Sequence, residues 1–310
     1  MKRATKKGLW IAFLCIGLGT SLMITALAIN GFRWETFQTE QMTKREIVVE
    51  EAFTKIRLLS ADEAIEVVPS TDGVCRVVCY DSEHIAHRVY VRDNCLETEQ
   101  IDARGWYDRI GVFFGPSPTV RVYLPDASYK SIKARTGSGS IRVSDGILFE
   151  SVQLVSESGS IALSGAIGSE TLTLPYSGDV QTKSGGITVH ALTGGTLRIV
   201  SSSGSIRCDE LASEQIEIYT ESGSMRLENV YAERGLVLQA NSGSIRFAHT
   251  DAPTIGIMTE SGSVRGTLKT EKRFQTATRS GSVIVPADAA TDAVCSVRTG
   301  SGSIRIEIEP

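Results

Sequence analysis

The tripeptide Ser-Gly-Ser, or a close variant, recurs along more than half of this chain at a nearly constant interval. Taking the first serine of each corner gives Ser138, Ser158, Ser177, Ser184, Ser203, Ser222, Ser242, Ser261, Ser280 and Ser301. The intervals are 20, 19, 7, 19, 19, 20, 19, 19 and 21, so one slip of seven interrupts an otherwise steady period. Self-similarity at such a period is the mark of stacked repeats, in which one unit cannot bury its apolar row alone.

The residues around each corner alternate. Three places after the reference serine stand Ile141, Ile161, Val180, Ile187, Ile206, Met225, Ile245, Val264, Val283 and Ile304, all apolar. Two places further come Val143, Leu163, Cys208, Leu227, Phe247, Val285 and Ile306, with Gly266 breaking the column. Apolar pairs also precede the corner, as in Ile216/Ile218, Leu236/Leu238, Ile255/Ile257 and Cys295/Val297. A spacing of two puts side chains on one face of a strand and argues against a helix. Each unit therefore reads as strand, tight corner, strand and looser return. The corner glycines expected are Gly139, Gly159, Gly178, Gly185, Gly204, Gly223, Gly243, Gly262, Gly281 and Gly302, residues that accept positive φ without steric penalty. The expected fold is an all-β parallel solenoid, a single-stranded β-helix of about 19–20 residues per rung, over residues 136–310, with rungs ~4.8 Å apart. Two places before the corner, Ser or Thr recurs in eight of ten units.

Residues 46–135 lack the corner motif but keep strand alternation in "KIRLL", "AIEVV", "VCRVVCY", "HRVYVRD", "IGVFF" and "TVRVYLP". They read as an irregular β cap on the same solenoid, or else as a small separate β-domain. At the other end Glu307, Glu309 and Pro310 are placed to blunt a sheet edge.

Upstream, Lys2, Arg3, Lys6 and Lys7 make residues 1–7 a basic tail, and Gly8–Phe32 follow without a charge. Twenty-five residues of helix measure ~37 Å, enough for a ~30 Å bilayer core. The expectation is one transmembrane helix over residues 8–32, a polar linker over 33–45, and everything beyond outside the cell, since the cations lie only on the N-terminal side. Ala26-Leu27-Ala28 leaves a cleaved signal peptide as the alternative. A formal net charge of −4 argues against a nucleic-acid partner, because such proteins carry a basic field.

Taken together, an N-terminal anchor, the "VRVYLP" strand and the segments "TGSGSIRV", "SESGSIAL", "TESGSMRL" and "RSGSVIV" resemble the bacterial putative-adhesin family, a β-strand-repeat domain of unknown function. The resemblance spans residues 46–310 and implies a β-helical module on the cell envelope. It brings no catalytic motif with it. Some relatives are encoded beside envelope-stress regulators, which implies an accessory role through a membrane partner as an alternative.

The chemistry-bearing residues are few. Four places after the reference serine, on the outward face, stand Arg207, Arg226, Arg246 and Arg265, with Arg142 and Arg305 further off. Stacked guanidinium forks suit phosphates or carboxylates of an envelope polymer; a solvated face neutralised by Asp209 and Glu228 is the competing reading. Those two carboxylates also read as a polysaccharide-cleaving pair, but nearby arginines would hold both ionised. Serine at every corner has the pattern of structure rather than of a nucleophile. Only Asp179 enters a corner, which argues against a calcium β-roll. His84 and His87 form H-x-x-H with no cysteine or acid at zinc-like spacing, so neither metal nor cofactor is expected. Cys208 and Cys295 fall in core columns, and Cys95 could bridge Cys75 or Cys79. The sequence thus predicts a non-catalytic envelope module for adhesion, polymer binding or sensing, at the cell membrane with its C-terminal domain outside. Its partners would be the membrane, an envelope polymer or another envelope protein. A polysaccharide-active β-helix enzyme is the alternative.

Overall fold

A computed structural model of the chain describes residues 3–29, 42–103, 118–165 and 177–309. Apart from one helix, α1 (Arg3–Ile29), the architecture is β. Twenty-two strands form one continuous hydrogen-bonded sheet wrapped into two columns, with one column of strands preceding each corner and the other following it. Pairing between regular rungs is parallel, as in Ile187–Ser201 against Ile206–Thr220 and then Met225–Ala240, the last pair with one register shift between Ser213 and Gln215.

The register stacks like on like. Ile141, Ile161, Ile187, Ile206, Met225, Ile245, Val264 and Ile304 are successive partners, and none is more than 1% exposed. Burying such a side chain is worth roughly 1.5–3 kcal/mol, so this one column supplies much of the driving force. The break at Gly266 has a packing cause. The Phe247 ring on the preceding rung fills the space a Gly266 Cβ would occupy, so a large side chain and an absent one share two rungs.

The corner glycines are required for a different reason than positive φ. From Gly139 to Gly262 none adopts it. Instead the carbonyl of the preceding corner occupies the Cβ position: Gly139 O lies where Gly159 would carry a Cβ, and Gly159 O, Gly185 O, Gly204 O, Gly223 O and Gly243 O stand likewise behind Gly185, Gly204, Gly223, Gly243 and Gly262. The Ser or Thr two places before the corner is the complement. Ser156 Oγ donates to Gly139 O and accepts from Gly159 N; Thr182 Oγ1 does the same between Gly159 O and Gly185 N. Positive φ falls at the opposite corner, on Ala191, Glu210, Asn229 and His249, one per rung.

Three expectations are corrected. Gly178 is no corner: Ser177–Thr182 is a strand, with Gly178 in register between Val152 and Leu197. The slip of seven arises because an inserted segment lengthens this rung, so that Ile161 partners Ile187. At the C-terminal end the rungs do not stack in chain order. Val294–Ser301 and Ile304–Ile308 pair on one side with Thr254–Leu268 and on the other with Arg273–Ile284, which reaches only Ile304 and Arg305 of the last strand; Glu307 keeps a strand partner, Thr267, on one side only, and the outer Val283 and Ile284 are exposed. No disulfide forms: Cys75, Cys79 and Cys95 are buried and free, the first two on a strand of one column and Cys95 in the other.

The N-terminal end shows the same threading. Here the strands are β1 (Thr43–Val49), β2 (Lys55–Ser60), β3 (Ala64–Pro69), β4 (Cys75–Asp81), β5 (Ile85–Arg92), β6 (Cys95–Asp102) and β7 (Thr119–Leu124). The β2–β3 rung lies between the β6–β7 rung and Ser131–Val143. Antiparallel β5 covers β6, and β4 then β1 cover β7. "IGVFF" and residues 30–41 lie outside the described residues.

The span expected over residues 8–32 is not reproduced. Among the described residues no helix is long and apolar enough to cross a membrane. The helix starts earlier, at Arg3 inside the basic tail, and ends at Ile29.

Candidate functional site

The outward position beside the buried isoleucine column carries the arginines. Arg207, Arg226, Arg246 and Arg265 are successive in-register partners, and the displaced last rung places Arg305 directly against Arg265. Five consecutive rungs therefore present a guanidinium, one more than the period implies. Arg142 stands apart, separated by Ala162 and Thr188 and turned towards Glu66 at 3.9 Å. Arg226 meets Glu228 at 3.6 Å and Arg305 meets Glu307 at 2.8 Å. Arg207, Arg246 and Arg265 form no ion pair among the described residues. A shallow groove of about 310 Å³ runs along the row, lined by Arg207, Arg226 and Arg246 with the corner hydroxyls of Ser205, Ser224 and Ser244. Like charges directly opposite on neighbouring strands are destabilising, so an incompletely neutralised row is not explained by sheet stability.

Asp209 and Glu228 are also in register. A histidine joins them after all: His190 Nδ1 is 3.4 Å from Asp209 and its Nε2 3.9 Å from Glu210. Asp209, Glu228 and His190 are all substantially exposed, on an open sheet face.

A second constellation lies at the capped N-terminal end. His87 is 3% exposed; its Nδ1 is 2.8 Å from Asp81 Oδ1 and its Nε2 2.6 Å from Glu63 Oε2. The Cys79 thiol completes a group with Asp81 and His87 whose ligand atoms all lie within 4.8 Å of one another. Cys79 and Asp81 are two apart on β4, hence on one face. A turn closed by Ser82 N donating to Ile85 O brings β5 back beside them, and the His87 backbone N–H also donates to Asp81 Oδ1. Glu63 arrives from another rung. Aligning Ser60 with Thr136 and Ile65 with Ile141 puts Glu63 in the corner-glycine column, and its N–H donates to Ser60 Oγ as Gly139 N–H does to Thr136 Oγ1. Burial alone would push the His87 imidazole down. Hydrogen bonds with Cys79, Glu63 and Asp81, together with the Glu63 charge, outweigh it and push it up to about 10. For Asp81, burial is outweighed by hydrogen bonds from His87 and Arg45, which hold it below the usual carboxylate range.

The model of the Toastrack DUF4097 family matches residues 53–182 and 169–309. The chain belongs to that family. The two matches overlap at residues 169–182, which include the strand Ser177–Thr182. A solved structure described as a putative adhesin from Parabacteroides merdae is similar over 87% of this chain and 98% of that one, at 13% identity and a TM-score of 0.51. Another of the same description, from Bacteroides fragilis, covers 86% and 97% at 15% identity and a TM-score of 0.44. At such identities the likeness is one of fold. No curated protein matches the chain.

Within this Toastrack stack the arginine row lies on an outer face of the regular rungs, and the Glu63–His87–Asp81–Cys79 group at the cap. Sequence spacing finds the first because every rung repeats it. It misses the second because H-x-x-H pairs the wrong residues. The His84 carbonyl accepts from Ala103 N, while the true neighbours of His87 lie six, eight and twenty-four residues away. The signal that finds it is a register one: in the frame "SADEAI", Glu63 stands where later corners have glycine.

Proposed function

We propose that this Toastrack protein is a non-catalytic module of the cell envelope that binds a repetitive anionic polymer along its arginine row. The observation that carries the reading is the run Arg207, Arg226, Arg246, Arg265 and Arg305 on consecutive rungs, three of them unpaired among the described residues. Donors repeating at ~4.8 Å match a chain of phosphates or carboxylates better than one small anion, and serine hydroxyls beside them add further donors. The open face supports binding rather than cleavage. The description of the Parabacteroides merdae neighbour as a putative adhesin agrees with a surface role. Anchoring belongs to the same proposal. In α1, Trp10, Phe13, Leu14, Ile16, Leu22 and Met23 are all largely exposed and are spread around the helix, an arrangement suited to lipid, with Gly8–Phe32 uncharged. The solenoid then lies outside, opposite the basic tail.

The test uses the full chain in detergent over an immobilised poly(glycerol phosphate) surface. The expected result is binding that weakens steeply between about 50 and 200 mM salt, as for any multi-contact polyanion complex. Arg226→Glu with Arg246→Glu should weaken it at least tenfold with the melting temperature unchanged. Equal retention of the double variant overturns the proposal. For the anchor, extraction from membranes by alkaline carbonate would count against α1 as a span.

A further inference from the structure

We propose that Cys79, Asp81 and His87, backed by Glu63, form a divalent-metal site of the zinc class at the capped end of the stack. This site is independent of the arginine row, which lies on the regular rungs, so either can fail without the other.

The donor set is the first argument. A thiolate, an imidazole and a carboxylate are the three side-chain ligands zinc takes, and their ligand atoms already lie within 4.8 Å of one another. Around a tetrahedral ion, with bonds of about 2.0–2.3 Å, such atoms stand roughly 3.3–3.6 Å apart. His87 Nδ1 and Asp81 Oδ1, now at 2.8 Å, need to open by about half an ångström to admit one.

The second argument is the orientation of the histidine. Ligating imidazoles almost always donate their other ring N–H to a carboxylate, which fixes tautomer and ring angle. That partner is built in: Glu63 Oε2 holds Nε2 at 2.6 Å, and both side chains are essentially buried. Nδ1 is then free to face the ion. Asp81 is similarly prepared, because Arg45 Nη1 binds Oδ2 at 3.1 Å and leaves Oδ1 for the site.

An unmatched acceptor gives the third. Zinc ligands bind in their deprotonated forms, so metal entry releases protons to solvent. The remaining Glu63 oxygen, Oε1, is buried without a hydrogen-bond partner among the described residues, a polar surplus that hydrogen bonding alone does not account for. Entry is through Asp81, whose side chain is 23% exposed, and three protein ligands leave one position for water.

The experiment uses untagged full-length Cys15→Ser protein, which lacks the exposed thiol, stripped with chelator and titrated with zinc against a chromophoric competitor. One ion per chain is expected. Cobalt in its place should give a thiolate-to-metal charge-transfer band and the intense visible bands of a tetrahedral centre. Cys79→Ser should abolish the charge-transfer band and weaken zinc binding at least tenfold, whereas Cys95→Ser should change neither. Glu63→Gln should weaken binding roughly 10–100-fold while keeping the cobalt spectrum, as expected of a positioning residue. The proposal is overturned by an absence of stoichiometric binding, by cobalt binding without a charge-transfer band, or by Cys79→Ser binding as tightly as its parent.

Discussion

At the scale of single residues, the two corners of a rung impose opposite demands on side-chain size and backbone conformation. At the Ser-Gly-Ser corners from Gly139 to Gly262 the backbone conformation suits any residue, and the carbonyl of the rung behind forbids a Cβ. At the return corner space is ample and conformation is the constraint: Ala191, Glu210, Asn229 and His249 all sit at φ of 50–54°, where a Cβ is strained by roughly 1–2 kcal/mol. Substitutions should therefore move stability in opposite directions. Gly204→Ala should destabilise by more than about 2 kcal/mol, because neither the Gly185 carbonyl nor the stack behind it can retreat. Glu210→Gly should stabilise by up to about 1 kcal/mol despite adding unfolded-state entropy, since relief of left-handed strain exceeds the entropic term. Urea midpoints measure both. A neutral Gly204→Ala would mean that the corners are not in carbonyl contact.

At the scale of strands and rungs, coupling between neighbours is the central property, and Phe247 with Gly266 is its sharpest instance. The ring occupies its neighbour's Cβ position, so Gly266→Ala alone should cost about 1–3 kcal/mol as overpacking. In a Phe247→Leu background the same change should cost at least 1 kcal/mol less. Additivity in that double-mutant cycle would exclude the shared volume. This level also decides what the sequence can reveal. Columns such as Ile206, Met225, Ile245 and Val264 are legible because a period of two along the strand and nineteen or twenty along the chain fixes both face and register. The hydroxyl ladder is legible as a pattern, and its one gap among true corners, Ala240, shows as an exception. The stacking order at the ends is not legible, because Ser261, Ser280 and Ser301 head chemically equivalent corners and any two would stack. Gly178 misleads for a related reason: a Ser-Gly pair inside a strand is locally the same as one at a corner. The cap cluster escapes because it depends on a turn at residues 82–84 and on a contact from another rung, neither of which is periodic.

For the whole molecule, stability in a stack is approximately a sum of rungs and nearest-neighbour interfaces, so whatever loosens one end exposes the next rung. The capped end carries the protein's most perturbed buried histidine, and that makes the end sensitive to pH. In metal-free protein His87 stands at about 10, against about 6.5 in an unfolded chain. Below pH ~6.5 both states hold the proton, and the stabilisation is fully present. As pH rises towards 10, only the folded state keeps it, and stability falls by up to about 1.4 kcal/mol per pH unit, the linkage slope for one proton. Cys75, pushed by burial to about 11, and Cys208 and Cys295, pushed to about 12, act in the same direction once unfolded thiols ionise near pH ~8.5. Asp81, held low by His87 and Arg45, acts at the acid end, where its contribution is lost as pH falls through the carboxylate range. The urea midpoint in chelator should therefore be highest between pH ~4.5 and 6.5 and decline steadily above that. His87→Gln should flatten the decline up to pH ~8.5 while leaving the thiol-driven fall beyond it. Hydrogen exchange at pH 9 should show residues 43–102 losing protection before Ile206–Ala240 in the middle of the stack. Uniform loss along the chain, or a midpoint that rises from pH 7 to 9, would show that the cap does not govern the order in which the rungs come apart.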